Sequence, residues 1–160
     1  MKKKISTHQQ TILPLTEREP QKRVVKDESI PVRYKVGKSF AGLGLFATEH
    51  IKKGETIIQY LGHILNDDEA CKKINSMYLF EVKKNINIDG TPRWNTARYA
   101  NYSCDPNAES ENRKNNIYLV AIKNIKAGDE ITFDYGEEFF NEHIKPKGCR
   151  CGTKKCKSNI

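Results

Sequence analysis

The segment Asn101-Tyr102-Ser103-Cys104-Asp105-Pro106-Asn107 is too polar for a core strand and is closed by a turn-forming Asp-Pro pair. Near the C-terminus, three further cysteines fall within eight residues, at Cys149, Cys151 and Cys156. Three thiolates are one short of the four that structural zinc prefers, and Cys104 is the best candidate for the fourth ligand. A metal shared by the two segments would clamp together residues that lie far apart in sequence.

The chain of 160 residues has the size of about one domain, with 37% apolar and 30% charged residues, as in ordinary globular proteins. It has no run of about 18 apolar residues that could span a bilayer, and no signal-like apolar stretch follows its first residues. We therefore expect a soluble, intracellular protein with no membrane partner. The chain has five cysteines, and the crowding of three of them suits metal better than disulfides, which agrees with a reducing compartment.

The formal net charge of +8 suggests an acidic partner such as nucleic acid. Basic residues outnumber acidic ones by seven to four over residues 1–30, and by six to none over residues 143–160. Residues 129–142 reverse this balance and contain no basic residue. That acidic segment could bind a cationic substrate, although a merely solvated acidic loop explains the charges equally well. Its acidic members are Asp129, Glu130, Asp134, Glu137, Glu138 and Glu142.

The pattern along the chain predicts a mainly β domain with small helical inserts. Residues 1–30 are polar, contain two prolines and lack a sustained period, so we expect a tail or a loosely docked arm. Short β-branched and aromatic runs between turn residues then predict strands, the last of them at residues 130–135. Acids followed by lysines predict one short helix over residues 67–74, and residues 97–102 favour another helical turn.

Three motifs occur in one order in this small β-rich chain: the 101–107 segment, Phe133-Asp134-Tyr135-Gly136 and the C-terminal cysteines. Together they resemble the SET-domain protein lysine methyltransferases with their post-SET zinc segment. The resemblance covers about residues 32–156 and includes Gly42-Leu43-Gly44. It implies a β-clip-like fold of small sheets with a C-terminal pseudoknot, an exception to the usual absence of threading. The implied domains are a basic N-terminal arm (1–30), a SET domain (31–140) and a post-SET zinc-binding segment (141–160).

The resemblance implies that S-adenosylmethionine binds as methyl donor. The Gly42 and Gly44 positions would let the backbone approach its methionine end, where a side chain would obstruct it. Tyr102 departs from the pattern, since the family usually has His there, but the matching contact with adenine is made by the backbone. The implied cofactor-binding residues are Gly42, Leu43, Gly44, Tyr78, Asn101, Tyr102 and Tyr135.

The implied reaction is methylation of the side-chain amine of lysine in a protein substrate. A lysine pKa of about 10.4 leaves the amine charged at neutral pH, so an apolar channel is needed to disfavour the ammonium form. By resemblance Tyr135 and Tyr60 are catalytic, with Tyr60 also lining the lysine channel. Phe133 matches the position that leaves room for successive methylation, and Phe139 and Phe140 would help to form the lid of the channel.

By resemblance, one zinc ion would be bound by Cys104, Cys149, Cys151 and Cys156. Its role would be structural, because four thiolates leave no open position for water activation. The implied partner is a basic protein, with a histone tail as the first candidate. A histone substrate would imply a nuclear or chromatin location, and the basic tails could serve chromatin or nucleic-acid association. The sequence does not indicate the oligomeric state.

Two other hypotheses remain open at this point. A basic zinc-containing nucleic-acid-binding module would explain the charge and the cysteines, but not why Gly42-Leu43-Gly44 accompanies Asn101 and Tyr135. A non-catalytic SET-like domain could instead recognise a lysine-bearing partner. Cofactor binding separates the first hypothesis from the SET hypotheses, and turnover separates a catalyst from a recogniser.

Overall fold

The computed structural model describes residues 21–73 and 76–157, which form strands joined by short helices, as predicted. No helix within these ranges is both long and apolar enough to cross a membrane. The helices are α1 (Asp67–Cys71), α2 (Glu137–Phe139), 3₁₀ turns at Thr96–Tyr99 and Lys145–Lys147, and a π-helix at Phe140–Ile144. The strands are β1 (Tyr34–Ser39), β2 (Gly42–Ala47), β3 (Thr56–Tyr60), β4 (His63–Leu65), β5 (Leu79–Lys83), β6 (Ile86–Asp89), β7 (Asn101–Tyr102), β8 (Ala108–Arg113), β9 (Asn116–Ala121) and β10 (Glu130–Phe133).

The larger sheet has the strand order β1-β2-β10-β8-β9-β3, and β7 also pairs with β10. Strand β10 runs antiparallel to β2 but parallel to β7 and β8. Its register places Thr132 opposite Asn101 and Phe133 opposite Tyr102. The polar segment that begins at Asn101 therefore lies directly beside the strand that leads into Tyr135.

The hydrophobic core lies against this larger sheet. In β10, Ile131 and Phe133 are buried while Glu130 and Thr132 are only partly buried, which is the two-residue period of a strand with one core face. Each fully buried aliphatic side chain contributes about 1.5–3 kcal/mol relative to an exposed one. The largest fully buried aliphatic side chains are Leu45, Ile51, Ile57, Leu65, Ile88, Ile117, Leu119, Ile125 and Ile131.

A smaller sheet of order β4-β6-β5 carries α1 on the connection from β4. The helix begins with a capping box, in which Asn66 accepts from the backbone of Glu69 and Glu69 accepts from the backbone of Asn66. Acids in its first turn complement the helix dipole, as the sequence pattern indicated. The helix ends at Cys71, which is shorter than the predicted 67–74, and residues 74 and 75 lie outside the described ranges.

The predicted N-terminal arm falls partly outside the described residues, since 1–20 are not described. Its remainder is attached to the fold. The Val24 side chain is buried, and its backbone N–H donates to Gly62 O at 3.0 Å. The backbone N–H of Asp27 donates to Gln59 Oε1 at 2.6 Å. Residues 22–27 therefore run along β3 and β4 rather than away from them.

Candidate functional site

Two adjoining cavities lie where β7, β10 and the C-terminal helices meet. The large cavity has a volume of about 650 Å³, and its walls include Leu43, Asn101 and Tyr102. The narrow cavity, of about 60 Å³, has walls that include Tyr60, Phe80 and Phe133. The two cavities share five lining residues, so they adjoin one another, and together they are called the recess below. The shared residues are Met77, Tyr78, Arg98, Tyr135 and Phe139.

Tyr135 stands at the junction of the two cavities. Its hydroxyl donates to Ala100 O at 2.7 Å, and its ring centre lies 4.6 Å from that of Phe133 and 5.1 Å from that of Phe139. Burial raises the pKa of the Tyr135 phenol well above its usual range. The hydroxyl therefore stays protonated at neutral pH and serves as a fixed dipole rather than as a base.

Tyr60 lines the narrow cavity. Its hydroxyl donates to Tyr78 O at 2.9 Å, and its ring packs 5.5 Å from that of Phe80. Burial raises the pKa of this phenol as well. Gly90 lies against the ring, and a Cβ there would collide with the Tyr60 hydroxyl. The Tyr60 ring can therefore occupy this position only because Gly90 has no side chain.

Asn101 lines the large cavity, and two hydrogen bonds of its side-chain amide hold it in place. Its Nδ2 donates to Leu43 O at 3.0 Å and to Glu130 Oε1 at 2.7 Å. The backbone at Gly42 has a φ of 114°, which favours glycine. At Gly44, a side chain would collide with Glu130.

Tyr102, the residue that departs from the family pattern, packs into an aromatic cluster. Its ring centre lies 5.6 Å from those of both Tyr135 and Phe140. Its hydroxyl lies 3.5 Å from Cys104 Sγ. Its side chain therefore bridges the tyrosine at the cavity junction and the cysteine cluster. Phe140 is buried in this cluster and is not among the residues that line the narrow cavity, whereas Phe139 lines both cavities.

The four predicted metal ligands come together. The Sγ atoms of Cys104, Cys149, Cys151 and Cys156 all lie within 4.8 Å of one another, and Cys104 and Cys149 are 3.8 Å apart. A tetrahedron with zinc–sulfur bonds of about 2.3 Å has edges of about 3.8 Å. The cluster thus has the donor set and the size to hold a metal ion.

The thiols of this cluster differ in acidity. Burial raises the pKa of Cys149 to about 12. Burial is also the largest single influence on Cys151 and acts in the same direction, but the hydrogen bonds with Thr153, Cys104 and Cys149 together outweigh it and lower the pKa to about 6. Four ionised thiolates at this separation would repel one another without a cation, so a bound dication would offset the repulsion and displace the protons.

The acidic segment 129–142 is only partly available to a substrate. Glu130 bonds inward to Asn101, and Asp134 pairs with Lys157 Nζ at 3.5 Å. Glu137 and Glu138 are exposed in α2 beside Phe139. These two carboxylates therefore remain on the surface, next to a residue that lines both cavities.

Most of the predicted site residues surround this recess: Leu43, Tyr60, Tyr78, Asn101, Tyr102, Phe133, Tyr135 and Phe139. Sequence reasoning missed three residues that support them. Glu130 was assigned only to the acidic segment, and Gly90 carried no motif. The Arg98 guanidinium lies 4.0 Å from the centre of the Tyr78 ring and closes the wall shared by both cavities. Arg98 stands three residues before Asn101, and this proximity to the motif is the signal that could have identified it.

The fold and this recess define a small β domain with a cysteine cluster tied to a two-part cavity. The SET domain family model matches residues 42–136, so the chain belongs to the SET domain family. This confirms the predicted family and, with the strand-rich architecture, the predicted fold class.

Three relatives illustrate the similarity. The chain is 33% identical over 130 residues, 74% of its length, to histone-lysine N-methyltransferase trithorax of Drosophila virilis. It is also 33% identical over 130 residues, again 74% of its length, to the H3 lysine-4 specific histone-lysine N-methyltransferase of Schizosaccharomyces pombe. The H3 lysine-36 specific enzyme of Mus musculus is 34% identical over 128 residues, 72% of this chain. The matched region spans 3%, 14% and 5% of these relatives, respectively.

Proposed function

We propose that this protein transfers methyl groups from S-adenosylmethionine to lysine side chains of a basic protein, with histone tails as the first candidate substrate. The observation that carries the proposal is the junction of the two cavities at Tyr135, beside Asn101 and the cysteine cluster. The large cavity is of the size that cofactors occupy, typically about 300–1,000 Å³. Three relatives of different origin carry histone-lysine N-methyltransferase names, which supports the substrate class.

When bound in the large cavity, S-adenosylmethionine supplies an activated methyl group. Leu43, Tyr78, Asn101 and Tyr102 would hold it there, together with the backbone near Gly42 and Gly44. Leu43 O and Asn101 lie at the same end of the cavity, 3.0 Å apart through the amide nitrogen of Asn101. The chain thus offers both backbone and side-chain polar groups to a donor with an amino-acid end.

The narrow cavity prepares the lysine. Its walls include Phe80, Phe133 and Phe139, and these apolar rings disfavour the ammonium form and lower the pKa of a bound lysine. The neutral phenols of Tyr60 and Tyr135 are not bases, so the proton of the lysine ammonium would leave to water. Their role is to orient the amine at the junction, where alignment of reacting groups lowers the barrier.

We assign Phe133 to control of product. Its side chain is buried and adds no hydroxyl to the narrow cavity, which leaves room for an amine that already carries a methyl group. The product would therefore extend beyond monomethyl-lysine.

A structural zinc ion at the four cysteines would fix the C-terminal segment over the large cavity, since Cys149 and Cys151 also line that cavity. We assign residues 31–140 to the SET domain and 141–160 to the post-SET segment, of which 158–160 lie outside the described residues. A histone substrate would place the protein in the nucleus or on chromatin.

The test is transfer of labelled methyl groups to panels of histones and other basic proteins. Tyr135→Phe should reduce transfer about 100-fold, the usual effect of losing a positioned hydrogen-bonding group at a reacting centre. Tyr118→Phe is the matched control, because Tyr118 is a buried tyrosine that lines neither cavity. No transfer to any protein would contradict the proposal and leave a recognition domain.

A further inference from the structure

A carboxylate from β10 joins three segments behind the large cavity. Glu130 Oε2 accepts from Ser39 Oγ at 2.9 Å, while Glu130 Oε1 accepts from Asn101 Nδ2 at 2.7 Å. The same nitrogen donates to Leu43 O. Ser39, Leu43, Asn101 and Glu130 all line the cavity, and Glu130 is the one carboxylate among its described lining residues.

These contacts fix which way the Asn101 amide faces. A backbone carbonyl and an ionised carboxylate only accept hydrogen bonds, so the end of the amide that lies between them must be the NH₂ group. Both of its hydrogens are then committed to Leu43 and Glu130. The carbonyl end, Oδ1, is left as the acceptor that Asn101 can offer to a ligand.

The chain reserves space for this carboxylate. Gly44 in β2 lies against it, and a Cβ at this position would collide with Glu130 Oε1 and come within 2.9 Å of Ser39 Cβ. The pairing of β2 with β10, in which Glu130 lies opposite Phe46, sets this close approach. The absence of a side chain at Gly44 thus leaves the space that the Glu130 carboxylate occupies.

We propose that Glu130 is a positioning residue that holds the Asn101 amide with its oxygen available and creates a subsite for the ammonium group of the methyl donor's amino-acid end. An ammonium has three hydrogens to donate and no acceptor, so it fits an amide oxygen backed by a carboxylate. The negative charge of Glu130 favours that cation further. This inference rests on the proposed function, because it specifies how the same cavity recognises its donor.

The test is calorimetric binding of two ligands that differ in the amino-acid end. S-adenosylhomocysteine, the demethylated donor, retains this end, and 5′-methylthioadenosine lacks it. Glu130→Ala should weaken binding of the first about tenfold, the loss expected when a charge-assisted hydrogen-bond network is removed. Binding of the second should change by less than about twofold, a difference that a merely structural role of Glu130 would not produce.

Two further variants separate charge from shape. Glu130→Gln keeps an acceptor for Asn101 and gains a donor for Ser39, so it removes mainly the charge and should weaken S-adenosylhomocysteine about fivefold. Glu109→Gln removes an exposed carboxylate of β8 that lines neither cavity, so it is the matched control for charge and should stay within about twofold of the wild type. Should Glu130→Ala fail to fold, Glu130→Gln decides.

Equal weakening of both ligands by Glu130→Gln, or unchanged binding of S-adenosylhomocysteine, would overturn the inference. These outcomes differ from failure of the proposed function, in which the wild-type protein itself would bind neither S-adenosylhomocysteine nor S-adenosylmethionine.

Discussion

Gly90→Ala should disturb the narrow cavity through Tyr60. An alanine Cβ would lie 2.5 Å from both Cε1 and Cζ of the Tyr60 ring, whereas real Cβ contacts are essentially never closer than 3.0 Å. The ring must therefore move by about half an ångström or more. Gly90 does not have a positive φ, so the backbone itself accepts alanine and the whole penalty arises at Tyr60.

The size of the penalty follows from the surroundings of the ring. Tyr60 is only 4% exposed, so there is little free space for it to move into. Overpacking of a core costs about 1–3 kcal/mol, and loss of the hydrogen bond to Tyr78 O costs about 1 kcal/mol. The free energy of unfolding should fall by about 2–4 kcal/mol, to be measured by urea denaturation. Because a displaced side chain misaligns a reacting group, kcat/KM for a lysine peptide should fall about tenfold to a hundredfold.

Two controls isolate the contact. Tyr60→Phe removes the hydroxyl that the new methyl group meets, so the double variant should lose about 1 kcal/mol less than the sum of the two single variants. Gly54→Ala meets no atom within 4 Å but strains a φ of 89°, so it should lower stability without lowering turnover. If Gly90→Ala matched the wild type in both stability and turnover, the packing of Tyr60 against Gly90 would be refuted.

Three further changes test the roles of Phe133, the metal and Tyr102. Phe133→Tyr should shift the product towards monomethyl-lysine, read by mass spectrometry, because it adds a hydroxyl to a cavity of about 60 Å³; an unchanged product distribution would remove Phe133 from this role. Chelation of the metal should lower turnover and raise hydrogen exchange in residues 149–157, since the cysteines tie this segment to Cys104. If turnover and protection from exchange were both unchanged after verified removal of zinc, the metal would have no role in holding this segment for catalysis. Tyr102→Phe removes the hydroxyl 3.5 Å from Cys104 Sγ and should weaken zinc binding about tenfold in a competition assay with a chromogenic chelator. An unchanged zinc affinity would show that the Tyr102 hydroxyl does not stabilise the Cys104 thiolate.

The ligands of the cysteine cluster and the strands were predictable from residue type and spacing alone. Thiol spacing reflects the donor chemistry of a metal, and Cys104 completed a set whose geometry the fold then provides. β-branched and aromatic runs such as β9 predict strands wherever they are buried. Tyr135 and Asn101 were identified from their motifs, and the fold brings both to the same recess.

The supporting residues were not predictable because they depend on register. Glu130 meets Asn101 only because β10 runs parallel to β7 with Thr132 opposite Asn101. Gly90 supports Tyr60 through an approach between two sheets, which no local pattern encodes. Phe140, predicted together with Phe139 as part of the channel lid, is buried in the π-helix and stacks against Tyr102, a contact that depends on how the C-terminal helices pack.

The decisive measurement of lysine methylation is tandem mass spectrometry of a histone incubated with S-adenosylmethionine and this protein. We expect methyl groups on lysine side-chain nitrogens, more than one on a single lysine after long incubation, and almost none with Tyr135→Phe. Methylation confined to other side chains, or lysine methylation that persists undiminished in Tyr135→Phe, would contradict this expectation.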